Sequence, residues 1–151
     1  MTLDFSDTHF RRRRTVTGNA KVCTGCRTCE LICTLSHEGV IHPARSRIHI
    51  KANPLKGSFV PVVCHQCSDV PCGYACPESA IVIERNFGTV LISEDKCTGC
   101  RACEQACPFG AIRFDEQKDK AVKCDFCHGR PECVMWCPVN ALGITEFGER
   151  E

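Results

Sequence analysis

Three stretches of this chain alternate apolar and polar positions with a period of two and break at a turn, which is the pattern of short β-hairpins. AIVIE and TVLIS flank RNFG over 80–93, with β-branched residues on both sides of an Asn- and Gly-bearing turn. RIHIKA (47–52) pairs in the same way with GSFVPVV (57–63), and IRFDEQKDKAVKC (112–124) folds back around a polar middle. No apolar run approaches the roughly 18 residues needed to span a bilayer. Short strands, short helices and long loops predict an α+β chain.

Composition changes what must hold such a chain together. Aromatic residues make up 7% of it, with one tryptophan and one tyrosine, so few large side chains can be buried. Its 16 cysteines, among 151 residues, must supply the missing stability through metal or disulfide. The formal charge of +1 decides nothing about a polyanion, and no nucleic-acid partner is expected. Arg11–Arg14 lacks the apolar stretch a twin-arginine signal needs, so a cytoplasmic place is expected and the run reads as a solvated basic arm or an acidic-partner patch.

The cysteines repeat as four quartets: Cys23-Cys26-Cys29-Cys33, Cys64-Cys67-Cys72-Cys76, Cys97-Cys100-Cys103-Cys107 and Cys124-Cys127-Cys133-Cys137. CTGCRTCELIC and CTGCRACEQAC are one type; CHQCSDVPCGYAC and CDFCHGRPECVMWC, with wider centres, are another. Three quartets continue as CPESAI, CPFGAI and CPVNAL, whereas the first continues as CTLSHE. The C-x2-C-x2-C stretches read as Gly-bearing loops wrapping one site. The fourth cysteine, before proline, is predicted to start a short helical turn, and the missing proline leaves the helix at Cys33 less defined.

Three sulfur chemistries compete. Disulfides need an oxidising compartment, for which no secretory signal speaks. Structural zinc takes two ligands from each knuckle, whereas C-x2-C-x2-C puts three sulfurs on one loop and a fourth at x3. Two copies of that triplet and three Cys-Pro endings are similar to the bacterial ferredoxin run. A [4Fe-4S] cube needs one soft thiolate for each of its four irons, so these cysteines can complete four cubes. No quartet has lost a cysteine, which leaves no open iron for a substrate and argues against catalysis within the chain. Four oxidised cubes would bring the net charge to about −7, which Arg27, Arg101 and Lys123, each beside a ligand, are placed to offset unless they are ordinary surface charges.

In a ferredoxin run the fourth cysteine serves the other cluster of a pair. The hairpin between Cys76 and Cys97, and the Pro-x2-Ala-Ile after both Cys76 and Cys107, join quartets two and three into one ferredoxin-like unit (60–119). Quartets one and four then form an outer unit (1–59 plus 120–151) in which the first is inserted.

The A-B-A-B order and four complete quartets resemble the four-cluster iron–sulfur subunits of molybdenum and tungsten oxidoreductases, such as those of dimethyl sulfoxide reductase and formate dehydrogenase. The resemblance covers about residues 20–145 and implies four ligand sets. Cys23, Cys26 and Cys29 would take Cys137; Cys124, Cys127 and Cys133 would take Cys33. Cys64, Cys67 and Cys72 would take Cys107; Cys97, Cys100 and Cys103 would take Cys76.

The Cys-x3-His-Glu-Gly and Ser-Arg-Ile of CTLSHEGVIHPARSRIHI look like the small subunit of bacterial tungsten-dependent aldehyde oxidoreductases. His37 and His42 would modulate a cluster or relay protons, or else cap and pack loops; Trp136, Phe109 and Phe126 read as packing that keeps water off sulfur. The implied function is a non-catalytic subunit relaying single electrons between a catalytic subunit holding a tungsten or molybdenum pterin, an aldehyde oxidoreductase by this resemblance, and a flavin subunit, a ferredoxin or another copy of itself. A free-standing polyferredoxin and a subunit of a hydrogenase or other reductase are the alternatives.

Overall fold

A computed structural model describes residues 12–84 and 86–148. Its elements run β1 (Arg12–Gly18), α1 (Thr28–Glu38), β2 (His49–Asn53), β3 (Ser58–Val62), α2 (Pro71–Ala75), β4 (Ile81–Ile83), β5 (Val90–Ile92), α3 (Ala102–Ala106), β6 (Arg113–Asp115), β7 (Lys120–Val122), α4 (Glu132–Met135) and β8 (Leu142–Gly148). The chain is therefore a small, loop-rich α+β fold. The three predicted hairpins are present as antiparallel ribbons, β2–β3, β4–β5 and β6–β7.

The first and last described strands form a fourth ribbon that the sequence reading did not contain, with Arg12 opposite Gly148 and Gly18 opposite Leu142. Arg13 and Arg14 are therefore not a solvated arm. The Arg13 guanidinium donates to the Cys67 carbonyl at 2.6 Å, and Arg14 pairs with Glu146 at 2.7 Å. Arg11 lies outside the described residues.

The helices also differ from expectation, by one ligand. In three quartets the short helix holds the third cysteine and ends at or just before the fourth, as α2, α3 and α4 do. A residue before proline is pushed out of helical backbone, and Cys76 and Cys107 are extended, with ψ 111° and 112°. Cys33 has no proline after it, and α1 runs through it to Glu38, the longest helix described rather than the least defined. Proline contributes instead at helix starts, with Pro71 in the first turn of α2.

Helix α1 packs on α4, and α2 on α3, which joins quartet one to four and two to three. Apolar burial is modest and divided. Val16, Ile48, Ile50, Val63, Phe126 and Leu142 form one cluster, and Val70, Ile81, Val90, Ile112 and Ala121 the other, with cysteines threaded through both. At roughly 1.5–3 kcal/mol for each fully buried large aliphatic side chain, so short a set leaves the sulfur sites with much of the task of holding the fold.

Candidate metal centres

The loops aim their sulfurs by repeated left-handed backbone. In the two CTGCR loops, Gly25 and Gly99 have φ 73° and 76°, and Arg27 and Arg101 have φ 60° and 61° just before α1 and α3. Glycine is required there twice over, since a Cβ on Gly25 would lie 2.4 Å from the Phe59 ring and one on Gly99 2.6 Å from the Asp119 carbonyl oxygen. The wider loops turn with non-glycine residues, Gln66 and Val70 in one and Phe126, Cys127 and His128 in the other.

All sixteen cysteines are free, so the disulfide reading has no support. One hollow of about 290 Å³, mouth included, is lined by Cys33, Cys124, Cys127 and Cys133. Another, of about 350 Å³, is lined by Cys64, Cys67, Cys72 and Cys107, and a third, of about 300 Å³, by Cys23, Cys26, Cys29 and Cys137. The fourth set meets at Cys103, whose thiol is pushed up to about 11 by burial and then by the charges of Cys76, Cys97 and Cys100. Crowding of like charges appears throughout. Burial raises Cys29 to about 12, helped by Glu30, Cys23 and Cys26, and raises Cys72 to about 11 despite Lys123.

Neighbouring sets also lie close together, those of Cys29, Cys33 and Cys64 sharing one packed cluster and those of Cys72 and Cys103 the other. Cys133 feels Cys29 as well as its own set, Cys124 feels Cys64, and Cys72 feels Cys103. The four sets thus form a row, in which the two end sets each include an exposed ligand, Cys26 and Cys100.

These sulfurs are prepared as acceptors. The turns after Cys76, Cys107 and Cys137 bring the N–H of Ala80, Ala111 and Ala141 to the sulfur at 3.3, 3.5 and 3.2 Å. Gln66 N–H reaches Cys64 sulfur, and Phe126 N–H reaches Cys124 sulfur, each at 3.4 Å. This is what Cys-Pro-x2-Ala does: proline stops the helix and the fourth residue donates to sulfur. Four thiols around one hollow, with amide donors to sulfur, fit an iron–sulfur cube.

Other sequence candidates divide. His37 lines the hollow of Cys33, Cys124, Cys127 and Cys133, its Nδ1 2.8 Å from the Cys33 carbonyl and its Nε2 3.0 Å from Asp125, and Asp125, then Cys127 and Cys33, push it up to about 12. Arg47 donates to the same Asp125 at 2.7 Å. Arg47 stood out in the sequence only as the middle of Ser-Arg-Ile and Asp125 not at all, because single charged residues in loops leave no periodic trace. His42 is not drawn into this network; its carbonyl accepts the Arg45 N–H at the 3₁₀ turn Pro43–Arg45. Phe126 is buried as shielding, and Phe109 stacks on His65 over the hollow of Cys64, Cys67, Cys72 and Cys107. Trp136 is 58% exposed, so it does not pack a cluster; Cys133 takes the buried side of α4.

Four thiol sets, joined in a row inside a small α+β fold, define an iron–sulfur protein. A family model described as a 4Fe-4S dicluster domain matches residues 55–150. The chain belongs to that family, and its cofactors are four [4Fe-4S] clusters, one for every four of its 16 cysteines.

The chain is 44% identical, over 115 residues, to the "aliphatic sulfonate oxidoreductase, polyferredoxin-like subunit" of Pyrococcus furiosus, covering 76% of this chain and 66% of that protein. It is 35% identical over 165 residues to the "electron transport protein HydN" of Escherichia coli K12, covering 91% of each. Among solved structures, the "active site complex BamBC of benzoyl coenzyme A reductase" matches with a TM-score of 0.56 at 27% identity, over 93% of this chain and 83% of that one. Among the described residues no helix is long and apolar enough to cross a membrane.

Proposed function

We propose that this chain is an electron-transfer subunit that relays single electrons through its four clusters within an oxidoreductase complex. The observation that carries the reading is the row of thiol sets, because steps between neighbouring sites in shared packed clusters are short and the two end sets reach the surface at Cys26 and Cys100. When bound, each cluster supplies a one-electron station. The chain's own residues supply spacing, amide donors to sulfur and exclusion of water.

The ligand sets of this proposal are Cys23, Cys26, Cys29 and Cys137; Cys33, Cys124, Cys127 and Cys133; Cys64, Cys67, Cys72 and Cys107; and Cys76, Cys97, Cys100 and Cys103. The packing of α1 on α4 and of α2 on α3 supports two ferredoxin-like units, one inserted in the other. Limits at 59/60 and 119/120 would cut β3 and the β6–β7 turn, so the junctions belong in the flanking loops.

Ligand count equals iron count, so the chemistry belongs to a partner. The relatives' names support a catalytic oxidoreductase subunit, which we take to hold a tungsten or molybdenum pterin, at one end of the row. A flavin subunit, a ferredoxin or a second copy takes the other end, in a reducing compartment such as the cytoplasm. Anaerobic iron and acid-labile sulfide analysis with a reductive EPR titration tests this. About 16 iron and 16 sulfide per chain are expected, with signals from interacting reduced clusters; zinc, or iron near half that number in fully loaded protein, would overturn it.

A further inference from the structure

We propose that the Lys123 ammonium is a fixed charge that raises the reduction potentials of the two inner stations, those of Cys33, Cys124, Cys127 and Cys133 and of Cys64, Cys67, Cys72 and Cys107. This rests on the cluster assignment above.

Lys123 is 3% exposed and is the only buried basic residue among those described. Its Nζ donates to the backbone carbonyls of Val90 and Cys124. Among the described residues no carboxylate lies within ion-pair distance of it. An ammonium buried without an ion-pair partner is costly; this one stands between the thiols of one hollow and a second hollow that it lines with Arg47, Glu94, Asp125 and His128. Lys123 lines the hollow of Cys64, Cys67, Cys72 and Cys107, and its other carbonyl partner belongs to Cys124, a ligand of the neighbouring set.

Gln66 completes the junction. Its Nε2 donates to the Cys124 carbonyl at 2.9 Å, and its Oε1 accepts the Val90 N–H at 2.8 Å. Val90 and Cys124 are thus each held by both side chains, which fixes the ammonium between the two inner sites. Arg27 and Arg101, beside the end sets, have side chains 56% and 43% exposed and are screened by water.

Reduction adds one negative charge to a cluster, and a nearby unscreened cation stabilises the reduced form. Removing the cation therefore lowers the potential of whatever it faces. EPR-monitored titration of the iron-loaded full chain would compare wild type with Lys123→Met, Lys123→Gln and Lys123→Arg.

Met and Gln are expected to make reduction at least about tenfold less favourable at two of the four stations, a fall of about 59 mV for a one-electron step. The other two stations stay in place, and Arg holds all four at wild-type values. No shift, an equal shift of all four, or an Arg variant that shifts like Met would overturn the proposal. Loss of iron from both Met and Gln variants would make Lys123 a structural strut and overturn it as well. Wild-type protein short of about 16 iron would instead overturn the four-cluster reading.

Discussion

Cys107 ends α3 with an extended backbone, φ −77° and ψ 112°, and its sulfur lines the hollow of Cys64, Cys67 and Cys72. The three cysteines that precede it in sequence gather elsewhere, with Cys76. Replacing Cys107 by serine substitutes a harder, less acidic oxygen for one thiolate. The cluster of Cys64, Cys67 and Cys72 is expected to be lost or to lose one iron, while that of Cys97, Cys100 and Cys103 keeps its signal. Iron analysis with EPR of the reduced variant reads this. Selective loss of the Cys97 cluster would reverse the assignment. The third cysteine of each quartet, the one its helix turns inward, has its thiol raised first of all by burial, at Cys29, Cys72, Cys103 and Cys133. Without metal these four hold protons, so cluster binding releases them.

At the level of elements, one proline separates α1 from its three counterparts. Thr34 occupies the place that Pro77, Pro108 and Pro138 hold after the other fourth cysteines, and it is buried, with its hydroxyl donating to the Leu31 carbonyl at 3.0 Å and accepting the His42 N–H at 3.2 Å. Thr34→Pro would remove a helical N–H and clash with the preceding turn, at a cost of about 3 kcal/mol or more. It is expected to shorten α1 at Cys33, free His37 and Glu38, and selectively destabilise the cluster that Cys33 serves. Denaturant unfolding followed by circular dichroism, with iron content, measures it. Unchanged stability and full iron would show that α1 beyond Cys33 is not needed.

This element scale is also where the sequence was most and least legible. The hairpins were readable because β-branched alternation and a turn that bears Asn and Gly are local signals, as at 80–93. The β1–β8 ribbon was not, because its strands lie more than a hundred residues apart and RRRTVTG looks like a charged arm until Leu142–Gly148 is beside it. Helix placement differs from the sequence expectation by one cysteine, because the restriction that proline imposes on the residue before it makes Cys-Pro a stop and not a start. The four cysteine quartets were legible from spacing, whereas the buried contacts of Gln66, Lys123 and Asp125 depend on what the fold brings opposite them.

Across the whole molecule, one ion-pair network ties the end of α1 to the β6–β7 hairpin, and so quartet one to the segment between quartets three and four. Arg45 donates to Asp115 at 2.6 Å and to Glu38 at 2.9 Å, and Lys118 reaches Glu38 at 3.0 Å. Burial alone would push the Asp115 carboxyl up. Arg45 and the N–H groups of Lys118 and Gln117 outweigh it and hold the carboxyl below its ordinary 3.8. A carboxylate depressed on folding adds stability above its unfolded value, and that stability is lost as pH falls through the depressed one. Asp115→Asn keeps the size and removes the charge, so it is expected to lower the thermal midpoint of the loaded protein by on the order of 5 °C at neutral pH. The gap between variant and wild type should hold steady down to about pH 5 and close below about pH 4. Midpoints measured by scanning calorimetry at fixed scan rate across that range decide it. A gap that widens in acid, or none at neutral pH, would mean that this pair does not hold the two parts of the chain together.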